Sequence, residues 1–187
     1  MRDAFVVRND HVVSQPRWIV EGGGPARPED GRQGEEDRSV MTASAKFAFV
    51  RLSELKAHEE IEEANLLDLL EHLRASKVIS DPIWVARGSS VILNGHHRVE
   101  ALRRIGADRA PAWLLDYDSE LVRLERWHPG PPITKTEVVQ RAMEGRLFPP
   151  KTTRHRLLID LPARPTPLSE LLPRPVVRRA RVRASGR

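Results

Sequence analysis

A chain of 187 residues and 21.2 kDa has room for one domain of ordinary size with extensions at its ends. Its 40% hydrophobic and 30% charged residues allow a modest core under a well-solvated surface, and the lack of any cysteine excludes a disulfide scaffold, thiolate metal sites and cysteine chemistry. The net charge of +5 sits mainly at one end, since residues 173–187 carry six arginines and no acid, while residues 1–41 sum to −2 and the stretch between them to +1.

Residues 20–40 are rich in Gly, Pro and charge and poor in apolar side chains. Such a segment cannot bury enough surface to offset its ordering entropy, so residues 1–41 are expected to be a disordered extension, or to follow an upstream start that is not used, with Met41 as the alternative. Phe47 to Leu52 is short, apolar and β-prone, a first strand. Leu66, Leu67, Leu70 and Leu73 recur at helical spacing, which predicts an amphipathic helix over 61–77. Asp81-Pro82 prevents its continuation. Residues 83–86 form a second strand, Gly88-Ser89-Ser90 a turn, and 91–93 a third strand. Val99, Leu102 and Ile105 lie on a second helix that closes at Gly106. Residues 112–115 make a fourth strand. A third helix runs from Thr134 to Arg146, with Thr134 and Glu137 in a capping-box pattern. Short strands mixed with helices on this scale predict a compact α+β domain over 42–172, a small mixed sheet with flanking helices. The Pro/Arg tail, 173–187, can bind nucleic acid nonspecifically; with no aromatic residue interleaved for base stacking, it reads better as a solubilising end. No apolar run reaches the ~20 residues that span a bilayer. The first residues also lack the apolar core of a signal peptide. A cytoplasmic protein without membrane association is expected.

Four constellations could carry chemistry. Asn94-Gly95-His96-His97-Arg98 stands between a strand and a helix. Glycine lets backbone approach a ligand, and a helix start offers free N–H groups and the positive end of its dipole. Two His and an Arg at that point favour an anion, in particular phosphate. A His–His metal pair fits less well, because neighbours on a helix point about 100° apart. His58-Glu59-Glu60 precedes the first helix. Its carboxylates could serve as a general base or metal ligand, or simply favour the helix dipole. Pro149-Pro150-Lys151-Thr152-Thr153-Arg154-His155 reads as a basic loop stiffened by proline and suited to a carboxylate or phosphate. Trp127 of Trp127-His128-Pro129-Gly130 could be core or could cover a ligand.

The strand–GHHR–helix unit resembles the ParB/sulfiredoxin-like fold. The wider set is His58-Glu59, GHHR, Leu115-Asp116-Tyr117-Asp118, Trp127 and Pro150-Lys151-Thr152-Thr153-Arg154-His155. Taken in order over about 47–172, it is similar to the free L-serine kinases. The resemblance implies an ATP- or ADP-dependent enzyme that uses Mg²⁺ to phosphorylate the hydroxyl of free L-serine. It implies Glu59 as the catalytic carboxylate and Gly95, His96, His97 and Arg98 as the loop that holds the nucleotide phosphates. It also implies Asn94, Trp127, Lys151, Thr152, Thr153, Arg154 and His155 around the amino acid. The family has Asp where this chain has Asn94, and the compact spacing of Trp127 and Lys151 favours ATP. No GxxxxGK[ST] P-loop occurs, so transfer would rest on positioning and charge neutralisation. The alternative is a ParB-like nucleotide- or DNA-binding regulatory module without kinase activity.

Overall fold

The structure is a computed structural model that describes residues 45–173. The expected extension over 1–41 and the arginines of the basic tail lie outside the described residues.

Strand β1 (Ala45–Arg51) leads through a 3-10 turn into an extended segment and then helix α1 (Glu63–Ser76). The short β2 (Val78–Ile79), β3 (Ile83–Ala86) and β4 (Ile92–Asn94) follow, then helix α2 (His96–Ile105) and β5 (Arg109–Leu115). The chain continues through β6 (Val122–Arg126), helix α3 (Lys135–Glu144), β7 (Thr153–Leu157) and β8 (Thr166–Pro167).

The main sheet has the order β1-β5-β3-β4. β3 and β5 are parallel, while β1–β5 and β3–β4 are antiparallel. This is the small mixed sheet expected of an α+β domain. The crossover that joins the parallel strands β3 and β5 runs through β4 and α2.

Alternation along the strands divides the core in two. Ile83, Val85, Ile92, Ala110 and Ala112 pack with Leu66, Leu70 and Leu73 of α1 and Val99 and Leu102 of α2. The opposite side gathers Leu93, Trp113, Leu115, Tyr117, Val138, Ala142 and Phe148. Complete burial of a leucine such as Leu66 or Leu102 contributes roughly 1.5–3 kcal/mol.

The helix signals are borne out. Helix α1 ends on Lys77 in the left-handed region (φ +58°), α2 on Gly106 and α3 on Gly145. The Thr134 hydroxyl oxygen accepts the Glu137 N–H at 3.1 Å, half of the expected capping box. Other boundaries shift. β5 begins at Arg109 rather than Ala112, and α2 begins at His96. The basic segment expected as a loop is one only in its first half. Thr153–Leu157 is a strand paired with β6, placing Arg126 opposite Thr153 and Leu124 opposite His155.

Candidate functional site

The extended segment before α1 is clamped from two sides. The Ile92 N–H donates to the Lys56 carbonyl at 2.9 Å, on the β4 side. On the other, the Phe148 N–H donates to the His58 carbonyl at 2.8 Å, and the Glu60 N–H to the Phe148 carbonyl at 2.9 Å. These bonds fix the backbone on both sides of Glu59. His58 is fully buried, while Glu59 is partly exposed.

Pro149 and Pro150 have no N–H to extend this pairing, and the chain turns through Lys151, whose φ is +55°. The Thr152 hydroxyl donates to the Pro149 carbonyl at 2.7 Å. This turn aims its donors at the Glu59 carboxylate. The Lys151 N–H donates to Oε1 at 2.8 Å, and the Thr153 N–H to Oε2 at 2.8 Å. The Thr153 hydroxyl lies 2.6 Å from Oε2. Burial raises the Glu59 pKa above its ordinary value, and the bonds from Thr153 and Lys151 pull it back only in part.

At the other side of the cleft, Gly95 opens α2 with φ +101° and no side chain to cap the first-turn N–H groups. A Cβ here would lie 2.7 Å from Ile83 Cγ2 and 3.1 Å from Arg98 Nε. Glycine is therefore required by both conformation and space. Arg98 folds back over it. Its Nη1 donates to the Asp81 and Pro82 carbonyls at 2.8 and 2.9 Å, and Nη2 to Asn94 Oδ1 at 3.0 Å. Burial lowers the Arg98 pKa to about 10, opposed by the charge of Asp81, so it stays protonated at neutral pH. Arg98 thus braces the Gly95 loop from behind. His97 ties the loop to the Glu59 segment, its Nε2 accepting the Glu62 N–H at 3.0 Å.

Three imidazoles fill the space between. His58 packs edge-on against His96 and His155, with ring centroids 4.6 and 5.5 Å apart. His58 Nε2 is 2.8 Å from the Thr153 hydroxyl, and His155 Nε2 is 2.7 Å from the Tyr117 hydroxyl. Burial lowers the His58 pKa to about 4 and that of His155 to about 3, and holds His96 well below its ordinary value. All three are neutral near pH 7. Burial raises the Tyr117 pKa, so its phenol keeps its proton beside His155 Nε2. The rings meet edge to face rather than converging on one point. Among the described residues no three His, Cys, Asp or Glu side chains are placed to hold a metal ion. At the rim, the Arg154 guanidinium stacks 4.6 Å from the Trp127 ring centroid, and Lys151 Nζ pairs with Glu62 at 3.1 Å.

Glu59, Asn94, Gly95, His96, His97, Arg98, Trp127, Lys151, Thr153, Arg154 and His155 all line one cleft of about 860 Å³. Of the residues to which the sequence resemblance assigned a catalytic or binding role, Thr152 alone is not in its wall. The cleft continues along α1 past Asn65, Asp68 and His72 to Val78–Asp81, which leaves room for a ligand larger than an amino acid. Sequence reasoning gave no role to His58 or Tyr117. Both lie within the quoted motifs, but only their burial against Thr153 and His155 distinguishes them.

No family model matches the chain. It is 31% identical over 106 residues to the ADP-dependent L-serine kinase SerK of Thermococcus kodakarensis, covering 54% of this chain and 44% of that protein. It is 35% identical over 83 residues to a ParB-like protein of Sulfolobus acidocaldarius, 44% of this chain and 41% of the relative. The chain thus spans under half the length of the curated relatives it matches. Among solved structures, a glutamate-to-alanine mutant of a free serine kinase in complex with ADP superposes with a TM-score of 0.63 at 20% identity. That match covers 67% of this chain and 94% of the solved one. The fold is that of the free serine kinase structures, and the sequence similarity runs to L-serine kinases and a ParB-like protein.

Proposed function

We propose that this protein is a nucleotide-dependent kinase that transfers a phosphoryl group to the hydroxyl of a free amino acid, L-serine above others. The carrying observation is that one cleft joins an uncapped helix start to a partly buried carboxylate held by three donors. The similarity to L-serine kinases supports the reading.

The first-turn N–H groups of α2 would receive the terminal phosphates of ATP or ADP, on a backbone that Gly95 and Arg98 hold in shape. The acceptor would lie between this loop and the Lys151–His155 segment. Lys151 and Arg154 supply positive charge for its carboxylate, and Trp127 covers the rim. Glu59 takes the hydroxyl proton as the new oxygen–phosphorus bond forms and the bond to the departing nucleotide breaks. Charge neutralisation by Mg²⁺ suits this chemistry, but the described residues form no cage for it. The ion is expected to arrive on the nucleotide phosphates, largely hydrated. No helix among the described residues is long and apolar enough to cross a membrane, and with these substrates the protein would act in the cytoplasm.

Similarity to a ParB-like protein favours a second reading, a binding module that uses the same loop for a nucleotide without transfer. The test is incubation of the full chain with ATP or ADP, Mg²⁺ and a panel of free amino acids, read by mass spectrometry. O-phosphoserine is the expected product. If neither nucleotide phosphorylates any amino acid, the kinase reading fails and the binding module replaces it.

A further inference from the structure

Behind Glu59 lies a chain of polar contacts that the proposed transfer does not itself use. It runs from Oε2 to the Thr153 hydroxyl at 2.6 Å, and from that hydroxyl to His58 Nε2 at 2.8 Å. A hydroxyl has one proton to give. An ionised Glu59 has acceptors only, so at 2.6 Å the Thr153 proton must point to it. The second contact then needs its proton from the imidazole, which fixes His58 as the tautomer protonated at Nε2. His58 carries one ring proton at neutral pH, because burial opposes a second.

The chain has a direction, and the direction has a consequence at the carboxylate. Oε2 receives two donors, the Thr153 N–H and hydroxyl, whereas Oε1 receives only the Lys151 N–H. Oε1 is left as the oxygen with room for another proton. If His58 instead carried its proton on Nδ1, Nε2 would be an acceptor and would draw the Thr153 proton to itself. The 2.6 Å contact could then be filled only by a protonated Glu59, which is no longer a base.

We infer that His58, acting through the Thr153 hydroxyl, is a positioning residue that holds Glu59 ionised, with Oε1 as its single reactive oxygen. This rests on Glu59 being the base of the proposed transfer. One backbone group opposes the arrangement, and several charged or titratable side chains surround it. The Ile92 backbone favours protonation of the His58 ring, although Nδ1 makes no hydrogen bond of normal geometry. The other charged and titratable groups near Glu59 are Glu60 and Glu62 on its own segment, Lys151, Arg154 and His155 from the facing turn and β7, and His96, His97 and Arg98 from α2.

The test begins with the full wild-type chain, free of ligand. Nitrogen NMR of the imidazoles should find His58 protonated at Nε2 near neutral pH; a proton on Nδ1 overturns the inference. Next, Thr153→Val removes the hydroxyl while keeping its shape and its backbone N–H. A hydrogen bond to a charged group lost in this way should raise the Glu59 carboxyl titration, followed by carbon NMR, by about one to two pH units. Thr153→Ser should restore it. An unmoved titration in Thr153→Val overturns the inference. Both measurements omit nucleotide and serine, so they decide the relay even if phosphotransfer itself is not found. In the active enzyme the acid limb of kcat should move upward with the titration, a change that a purely structural hydroxyl would not produce.

Discussion

Replacing Glu59 by Gln separates its two jobs. The carboxylate is a base in the proposed reaction and also the acceptor on which the Lys151–Thr153 turn closes. Gln keeps the size and one acceptor oxygen. Placed toward Thr153, that oxygen still meets both the N–H and the hydroxyl. The amide nitrogen then faces the Lys151 N–H, donor against donor, where Oε1 stood at 2.8 Å. Losing this hydrogen bond to a charged acceptor costs about 1.5–3 kcal/mol. For a domain of this size that lowers Tm by about 3–10 °C. Loss of a general base removes about 10²–10⁴-fold of the rate, equivalent to about 3–5.5 kcal/mol of barrier. The structural cost is therefore too small to masquerade as the chemical one if activity is measured well below the lowered Tm. Turnover of serine and nucleotide affinity should be measured at 25 °C beside a thermal melt. The expected pattern is a Tm drop of a few degrees, near-normal nucleotide affinity and a turnover loss above a hundredfold. A Tm drop with less than roughly tenfold loss of turnover, below the usual range for a base, would make Glu59 a turn anchor and refute its catalytic role.

Asn94→Asp should strengthen the contact to Arg98, now a pair of opposite charges at the 3.0 Å position, and should lower the Mg²⁺ needed for half-maximal rate. A Mg²⁺ titration with serine as acceptor checks this, and an unchanged or higher requirement refutes it. The depressed His58 and His155 pKa values, about 4 and about 3 against an ordinary 6.5, mean that the unfolded chain binds more protons than the folded one below pH 6.5. Stability is complete above that pH and falls as pH drops toward 4 and 3, by up to about 1.4 kcal/mol per unit per histidine. The raised Glu59 pKa acts in reverse. Tm measured from pH 7 to pH 5 should fall, and a flat or rising profile would contradict the buried neutral histidines. A chain cut to residues 42–172 should fold and keep its phosphotransfer; circular dichroism and the mass-spectrometric assay check this, and an unfolded product would refute the proposed boundaries.

The helices and the main sheet were legible because their signals are local. Leucines at helical spacing, glycine closures and runs of Ile, Val and Leu report on neighbours in the chain. β6 and β7 were not recognised, for a physical reason. In Thr153-Arg154-His155-Arg156-Leu157 the inward positions alternate properly, but they hold Thr and His rather than aliphatic side chains. A two-residue period without apolar residues does not register as a strand. The candidate site divides in the same way. Residue types and order marked the Gly95 loop and the basic segment. The bonds that join Glu59 to Lys151 and Thr153 span 92 and 94 residues, and no spacing rule reaches so far. The role of Arg98 was also hidden. Its charge suggested a phosphate ligand, whereas its guanidinium meets carbonyls of Asp81 and Pro82, which only the folded chain brings near.

The pairing of β6 with β7 has a consequence for how such a protein can change length. These strands are not joined by a tight hairpin, since α3 lies between them. Their register is set instead by what each side chain can tolerate. Sliding β7 by one residue would turn Arg154 and Arg156 into the space now filled by Thr153 and His155, burying two guanidiniums without partners. The turn length therefore carries no information about register. The connection can grow or shrink at small cost, each doubling of a flexible loop adding only about 0.6 kcal/mol. Insertions between Trp127 and Pro149 should leave the histidine cluster and the Glu59 turn in place, whereas a single residue added within either strand should dismantle both.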